Sequence, residues 1–174
     1  MAFNCSVVLS DIDINCRLAD VGGIKKVVLG LQSNLTLNFD PSDETKLLEL
    51  DLMDGVVFEH NAKDGSTVFS ESKSVNRGLG IINTDITIRL PRVDNKVNMI
   101  DYMSRREDIV CLMLHNNGSI TVSGWMDGLS MEYNASSGTA IADKSYVDVK
   151  LSTSSWIASM VLDDDSVLLS PIFG

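Results

Sequence analysis

The fold is decided by residues 108–151, which have the sequence DIVCLMLHNNGSITVSGWMDGLSMEYNASSGTAIADKSYVDVKL. The stretch predicts four short strands, at Ile109–Leu114, Ile120–Gly124, Leu129–Tyr133 and Tyr146–Leu151. Asn117-Gly118 separates the first two and predicts a hairpin, because both residues accept the positive φ of a tight primed turn. Apolar and polar residues alternate in the last two strands, so one face of each meets solvent. The stretch therefore predicts an antiparallel sheet scaffold without evident catalytic chemistry.

The most regular alternation in the chain lies just before this stretch, at residues 82–90, and Pro91 ends it because proline cannot donate to a sheet ladder. Asp94 can cap a short helix, which we expect at about 94–105. Together these patterns predict a mainly β protein, an antiparallel β-sandwich or partly closed barrel with one flanking α-helix.

The length of 174 residues predicts a single domain, 1–174. Within it we expect an N-terminal arm or edge strand at 1–20, variable loops at 31–45 and 61–80, and a C-terminal tail at 152–174. Asp54-Gly55 predicts a second hairpin, between strands at 46–52 and 56–59.

The net charge of −10 predicts a surface that repels nucleic acid and anionic membrane. No apolar run approaches the roughly 20 residues that span a bilayer, and the N-terminus lacks the basic and apolar regions of a secretory signal. We therefore expect folding in a cytoplasm, with no membrane partner. The three cysteines have no metal-ligand spacing, so we expect them to be reduced and structural.

Candidate chemistry is sparse along the chain. His60 and His115 have no accompanying pattern of nucleophile and acid, and we interpret His115 as a residue at the rim of the first hairpin. The Asp163–Asp165 run lacks the spacing of a calcium loop, and a solvated charge run is the simpler interpretation. We predict no enzyme activity, no catalytic or metal-binding residues and no cofactor.

Two segments resemble a known family. Residues 16–27 lead through Gly22-Gly23-Ile24-Lys25 into a strand. Residues 86–151 place an alternating strand, a helix, Asn117-Gly118, Gly128-Leu129 and then Gly138-Thr139-Ala140 in order. This order resembles the tail-tube-like structural proteins of tailed bacteriophages, particularly those of Bacteroidales and crAss-like phages.

The resemblance implies a virion structural protein whose sheets join side by side into a homo-oligomeric ring, hexameric or higher, in a tail tube, neck ring or tail hub. Such a ring contacts neighbouring phage proteins and conducts double-stranded DNA without binding it specifically, after assembly in the host cytoplasm. The candidate ring-contact residues lie in two predicted strand regions: Ile82, Thr84, Ile86, Thr87, Ile88, Ile109, Val110, Ile120 and Val122. The candidate acids of the lumen are Asp51, Asp54, Glu59 and Asp64.

Two other classes of protein remain open from the sequence. One is a β-sandwich module that binds carbohydrate or peptide, for which the supply of aromatic residues is small. The other is a small hydrolase, for which no His, acid and nucleophile pattern exists.

Overall fold

The computed structural model describes residues 23–53, 55–59, 66–76, 79–91, 94–116, 118–136, 146–162 and 168–169. These residues form twelve strands, one α-helix and one short 3₁₀-helix. The strands are β1 (Ile24–Leu31), β2 (Leu35–Asp40), β3 (Asp43–Leu52), β4 (Val56–Glu59), β5 (Ser66–Asn76), β6 (Leu79–Pro91), β7 (Ile109–His115), β8 (Ile120–Ser123), β9 (Ser130–Ser136), β10 (Tyr146–Ser155), β11 (Met160–Leu162) and β12 (Leu168–Leu169). The 3₁₀-helix is Gln32–Asn34, and α1 is Asp94–Met103.

The strands are arranged in three open sheets. A five-stranded sheet has the order β11-β8-β7-β1-β4, a four-stranded sheet has the order β5-β6-β10-β9, and a three-stranded sheet has the order β12-β3-β2. Each described pairing is antiparallel except β12 with β3, which is parallel. The predicted mainly β, antiparallel sandwich with one helix is confirmed, and the sheets do not close into a barrel within the described residues.

The five-stranded sheet lies between two hydrophobic cores. On β7, Ile109, Cys111 and Met113 belong to one core, which the four-stranded sheet and α1 complete. Val110 and Leu112 belong to the other core, which β3 and β8 share. Successive side chains of a strand point to opposite faces, so a strand covered on both sides must be apolar at every position. This explains the unbroken apolar run of β7.

The four strands predicted within residues 108–151 are all present, and so is the predicted strand at 82–90, which extends over Leu79–Pro91. The first hairpin forms as expected, with Cys111 opposite Ser123 and Leu114 opposite Ile120. Gly118 has the positive φ of 89° that its turn requires. Asn117 lies outside the described residues.

The prediction of a hairpin around Asp54-Gly55 is wrong. β3 pairs with β2 and β12, whereas β4 pairs with β1, so the strands on either side of this dipeptide enter different sheets. There is no room for a side chain at Gly55, since a Cβ on it would be 2.6 Å from Val28 Cγ1. The glycine therefore permits a crossing between sheets.

Two predicted loops contain strands. Residues 31–45 include β2 and the start of β3, which form a hairpin around a turn at Pro41-Ser42, and residues 61–80 include β5. The segment 152–174 is not only a tail, because β10 continues to Ser155, β11 pairs with β8 and β12 pairs with β3. The predicted arm at 1–20 and the acidic run at 163–165 lie outside the described residues.

The helix is confirmed, and it ends at Met103, two residues before the predicted end. Ile100 and Met103, three residues apart on one face of the helix, are buried in the core that the four-stranded sheet shares. Just beyond the helix, Arg106 holds Asp108 through two N–H···O contacts of 2.7 and 2.8 Å, which keeps the pKa of Asp108 below its usual value. These contacts fix the chain at the entry to β7.

A lysine at Val110 should prevent folding, because Val110 is fully buried in the central sheet and an unpaired ammonium there has no partner. The matched control is Val161→Lys, at a position on β11 of the same sheet that is 66% exposed. We expect a cooperative thermal transition, followed by circular dichroism, only in the control. A folded Val110→Lys chain would contradict the two-sided packing of β7.

Candidate assembly surface

The structure places the candidate ring-contact strands inside their sheets. β6 lies between β5 and β10, and β7 and β8 both have a partner on each side. Their backbone hydrogen-bonding groups are thus directed at neighbours within the same chain. As a correction to the sequence prediction, these strands are not available for pairing with another copy without displacing a native partner.

The side chains of these strands agree with that correction. Ile82, Thr84, Ile86 and Ile88 face the interior of the sandwich, and Ile109, Val110, Ile120 and Val122 are fully buried in the central sheet. Among the nine candidate residues only Thr87 is exposed, on the outward face of the four-stranded sheet. The apolar alternation of these strands therefore marks core residues. A strand has the same apolar pattern whether its side chains are buried within one chain or between two chains, so the sequence could not distinguish the two cases.

The candidate lumen acids do not form a cluster in the described residues. Asp51 lies in β3 of the three-stranded sheet, opposite Thr36. Glu59 lies at the end of β4 on the edge of the five-stranded sheet, opposite Lys26. Asp54 and Asp64 lie outside the described residues.

The four-stranded sheet has long edges with no partner strand among the described residues. One edge is β5, with 11 residues, and the other is β9, with seven. Neither strand contains proline, and β5 contains only two charged residues, Glu71 and Lys73. Side chains from Ser70 to Val75 are exposed. Proteins usually protect such edges with charges, proline or a covering segment, so these edges are suited to pairing.

A short loop, residues 156–159, lies beneath the β5 edge. Glu71 Oε2 accepts a hydrogen bond from the Ser159 N–H at 2.9 Å and another from Thr84 Oγ1 at 3.3 Å. The Ser159 hydroxyl also bonds Ser123 Oγ at 2.7 Å. The Glu71 carboxylate thus fastens the loop to the inner side of β5.

Three exposed apolar side chains lie on this loop or near it. Trp156 is 66% exposed, Met126 is 55% exposed and Ile157 is 38% exposed. Met126 and Ile157 line one shallow cleft, and Asp127 in the same cleft accepts a hydrogen bond from Ser155 Oγ. We call Met126, Trp156 and Ile157 the loop patch.

A second apolar patch lies at the opposite edge of the same sheet. Helix α1 is held beside β9 by a hydrogen bond of 3.1 Å from the Tyr133 hydroxyl to Asp101 Oδ1. Met99 and Tyr102, three residues apart on this helix, are 46% and 56% exposed. We call Met99 and Tyr102 the helix patch.

The described residues show little that resembles catalytic chemistry. His115 Nε2 is 2.8 Å from Thr121 Oγ1, and partial burial lowers the pKa of this histidine. The Cys111 thiol is completely buried, and burial raises its pKa, so it is a poor nucleophile. No group of His, Cys, Asp or Glu side chains suited to a metal ion occurs in the part of the chain that the structure describes.

Comparisons with protein-family models, curated proteins and solved structures find no match to this chain. None of the helices in the described ranges is both apolar enough and long enough to span a bilayer. Fold and surface together define a class of protein: an antiparallel β-sandwich whose four-stranded sheet ends in two edge strands, β5 and β9, that have no partner strand among the described residues.

The loop beneath β5 should loosen when Glu71 is changed to alanine, because Ser159 loses the acceptor of its backbone N–H. Amide hydrogen exchange at residues 156–159 should become faster than in the strands β6 and β10, in addition to a modest fall in melting temperature, because the buried Thr84 hydroxyl also loses its acceptor. Ser72→Ala, an exposed position next to Glu71 on the same strand, is the matched control. Unchanged exchange in the Glu71→Ala chain would argue against this role of the carboxylate.

Proposed function

We propose that this chain is a virion structural protein that self-associates into a ring, as part of a phage tail tube, neck or tail hub, and that double-stranded DNA passes through the ring. The observation that supports self-association best is the pair of unpartnered edges, β5 and β9, on one sheet of the described chain. The phage assignment rests on the resemblance of residues 16–27 and 86–151 to tail-tube-like proteins.

The strand order makes the two edges compatible with each other. Each strand of the sheet is antiparallel to its neighbour, so in a sheet of four strands the edge strands β5 and β9 run in opposite directions. If a second copy is placed beside the first in the same orientation, its β9 meets the β5 of the first as an antiparallel pair. Repetition of this head-to-tail contact forms a closed ring when the rotations between successive copies add up to a full turn.

The charge of the chain fits a conduit for DNA. The net charge of −10 is repeated in every copy of a ring, and a polyanion is repelled by such a surface at short range. DNA would then slide without adhering. In this proposal the acidity of the lumen comes from the summed charge of the copies, and Asp51, Asp54, Glu59 and Asp64 stay candidates for it.

A second candidate function uses the same edge. An extended peptide of another protein could add to β5 as a fifth strand, which is the recognition mode known as β-augmentation. The exposed edge favours peptide over carbohydrate as the ligand of such a module.

Two adjacent proline substitutions test the β5 edge. Neighbouring residues of a strand direct their N–H groups to opposite sides, and proline has no N–H group. One of the variants Ser72→Pro and Lys73→Pro therefore loses a hydrogen bond to β6, and the other loses a donor at the outer edge. We expect one variant to lose stability. The other should stay folded and need a concentration at least about tenfold higher to assemble, the factor that corresponds to about 1.4 kcal/mol. Sedimentation velocity and thermal unfolding measure the two effects.

The control is Thr87→Lys, on the outward face of β6, where both strand edges are already paired. We expect this variant to assemble as the unmodified chain does. A chain that remains monomeric up to high concentration, yet binds an extended peptide through β5, would reject the ring and support the peptide-binding module.

A further inference from the structure

We propose that residues 156–162, which are the loop beneath β5 together with β11, form a strap that opens as one unit and uncovers the outer edge of β8. The closed strap is an autoinhibitory cover, because it occupies a strand edge that is otherwise suited to pairing. The inference goes beyond the proposed ring and does not depend on it, since the opening takes place within a single chain.

The start of the strap is attached by hydrogen bonds. Ser155, the last residue of β10, accepts a bond from the Ile157 N–H at 3.1 Å and donates its hydroxyl to Asp127. The two apolar side chains that follow contribute little to the attachment, because Trp156 is 66% exposed and Ile157 is 38% exposed. The chain thus leaves β10 with a polar anchor and without an apolar one.

The end of the loop is attached in the same way. The Ala158 carbonyl oxygen accepts a hydrogen bond of 3.3 Å from Trp125 Nε1. Ser159 donates its N–H to Glu71 at 2.9 Å, and its hydroxyl oxygen lies 2.7 Å from Ser123 Oγ. Single polar contacts therefore fasten the loop to β5, to β8 and to the turn that follows β8.

Buried polar side chains are concentrated beneath the strap. Four polar side chains are buried in the described residues, and three of them, Thr84, Ser123 and Ser155, bond to the strap or to Glu71 and Asp127 beside it. A hydroxyl group that loses a protein partner gains water when the site opens, so the net cost of each lost bond is small. A cover sealed by hydroxyl groups therefore opens more easily than one sealed by apolar side chains.

The second half of the strap, β11, is a short edge strand. Its three residues pair with β8 and with no other strand of the described chain. Val161 is exposed, and of the three residues only Leu162 is buried. Regions with few buried contacts open at free energies below that of global unfolding. Because β11 follows Ser159 directly, release of the loop leaves β11 weakly held, and its departure exposes the hydrogen-bonding groups of β8.

Native-state amide hydrogen exchange in dilute, monomeric protein tests the strap. The hydrogen-bonded amides of the loop and of β11 should have one common protection factor, lower than that of the central strands β1 and β7. Ser155→Ala removes the anchor at the start of the strap, and exchange should become about two- to tenfold faster as far as Leu162, the range that corresponds to the net loss of one hydrogen bond. The matched control is Ser154→Ala, whose hydroxyl bonds Asn83 on the outward face of the sheet, and exchange in the strap should not change.

Two results would overturn the inference. In one, Ser155→Ala speeds exchange in the loop and leaves β11 unaffected, so that the two halves open separately. In the other, the strap of the unmodified chain is as strongly protected as β7. If Ser155→Ala does not fold, Ser159→Ala gives the same measurement from the other end of the loop, because it loses the contact with Ser123. Since the protein is monomeric in this experiment, the outcome is independent of whether the chain forms a ring.

Discussion

The structure depends on the burial of both faces of β7. Its alternate side chains enter two separate cores, one shared with the four-stranded sheet and α1, the other shared with β3 and β8. Neighbouring β1 does the same, with Val27 and Leu29 on one side and Val28 on the other. A change in the position of this sheet would therefore disturb both cores at once, which holds the three sheets in one arrangement.

This constraint leaves the four-stranded sheet as the place of the candidate assembly surface. The central sheet has an apolar layer on each face, so its strands β7 and β1 have no face toward solvent. The four-stranded sheet has only one face buried, and its outward face carries exposed or half-buried residues such as Thr87, Lys150 and Asp148. Contacts with another copy at the edges of this sheet would leave the two cores untouched.

The parts of the fold that sequence could predict are those in which partners are close along the chain. The β7–β8 hairpin and the alternation of β6 are local patterns, and both are confirmed. The strand β2 is also encoded locally, because Leu35, Leu37 and Phe39 alternate with polar residues. Its short alternation lies in a polar segment, which by composition predicts a loop. The Asp54-Gly55 dipeptide misled because glycine here allows a close approach between sheets, not a two-residue turn.

The candidate surface was harder to predict, since an edge is defined by the absence of a partner. The sequence of β5, with serines at alternating positions, is compatible with a loop or an edge, and only the pairing of β6 with β10 decides that β5 is outermost. The loop patch could not be predicted from the sequence for a similar reason. Met126 and Ile157 are 31 positions apart along the chain and line one cleft only after β10 and β9 have paired.

The pairing of β1 with β7 has a consequence for synthesis on the ribosome. Val28 lies opposite Leu112, so β1 emerges long before its central partner exists. At about 5–20 residues per second, the delay is on the order of ten seconds. Throughout that delay the valines of β1 are exposed in the nascent polypeptide, a state in which they can aggregate or be held by a chaperone. The yield of native protein in the cell should thus depend on translation speed and chaperone supply as well as on the final stability.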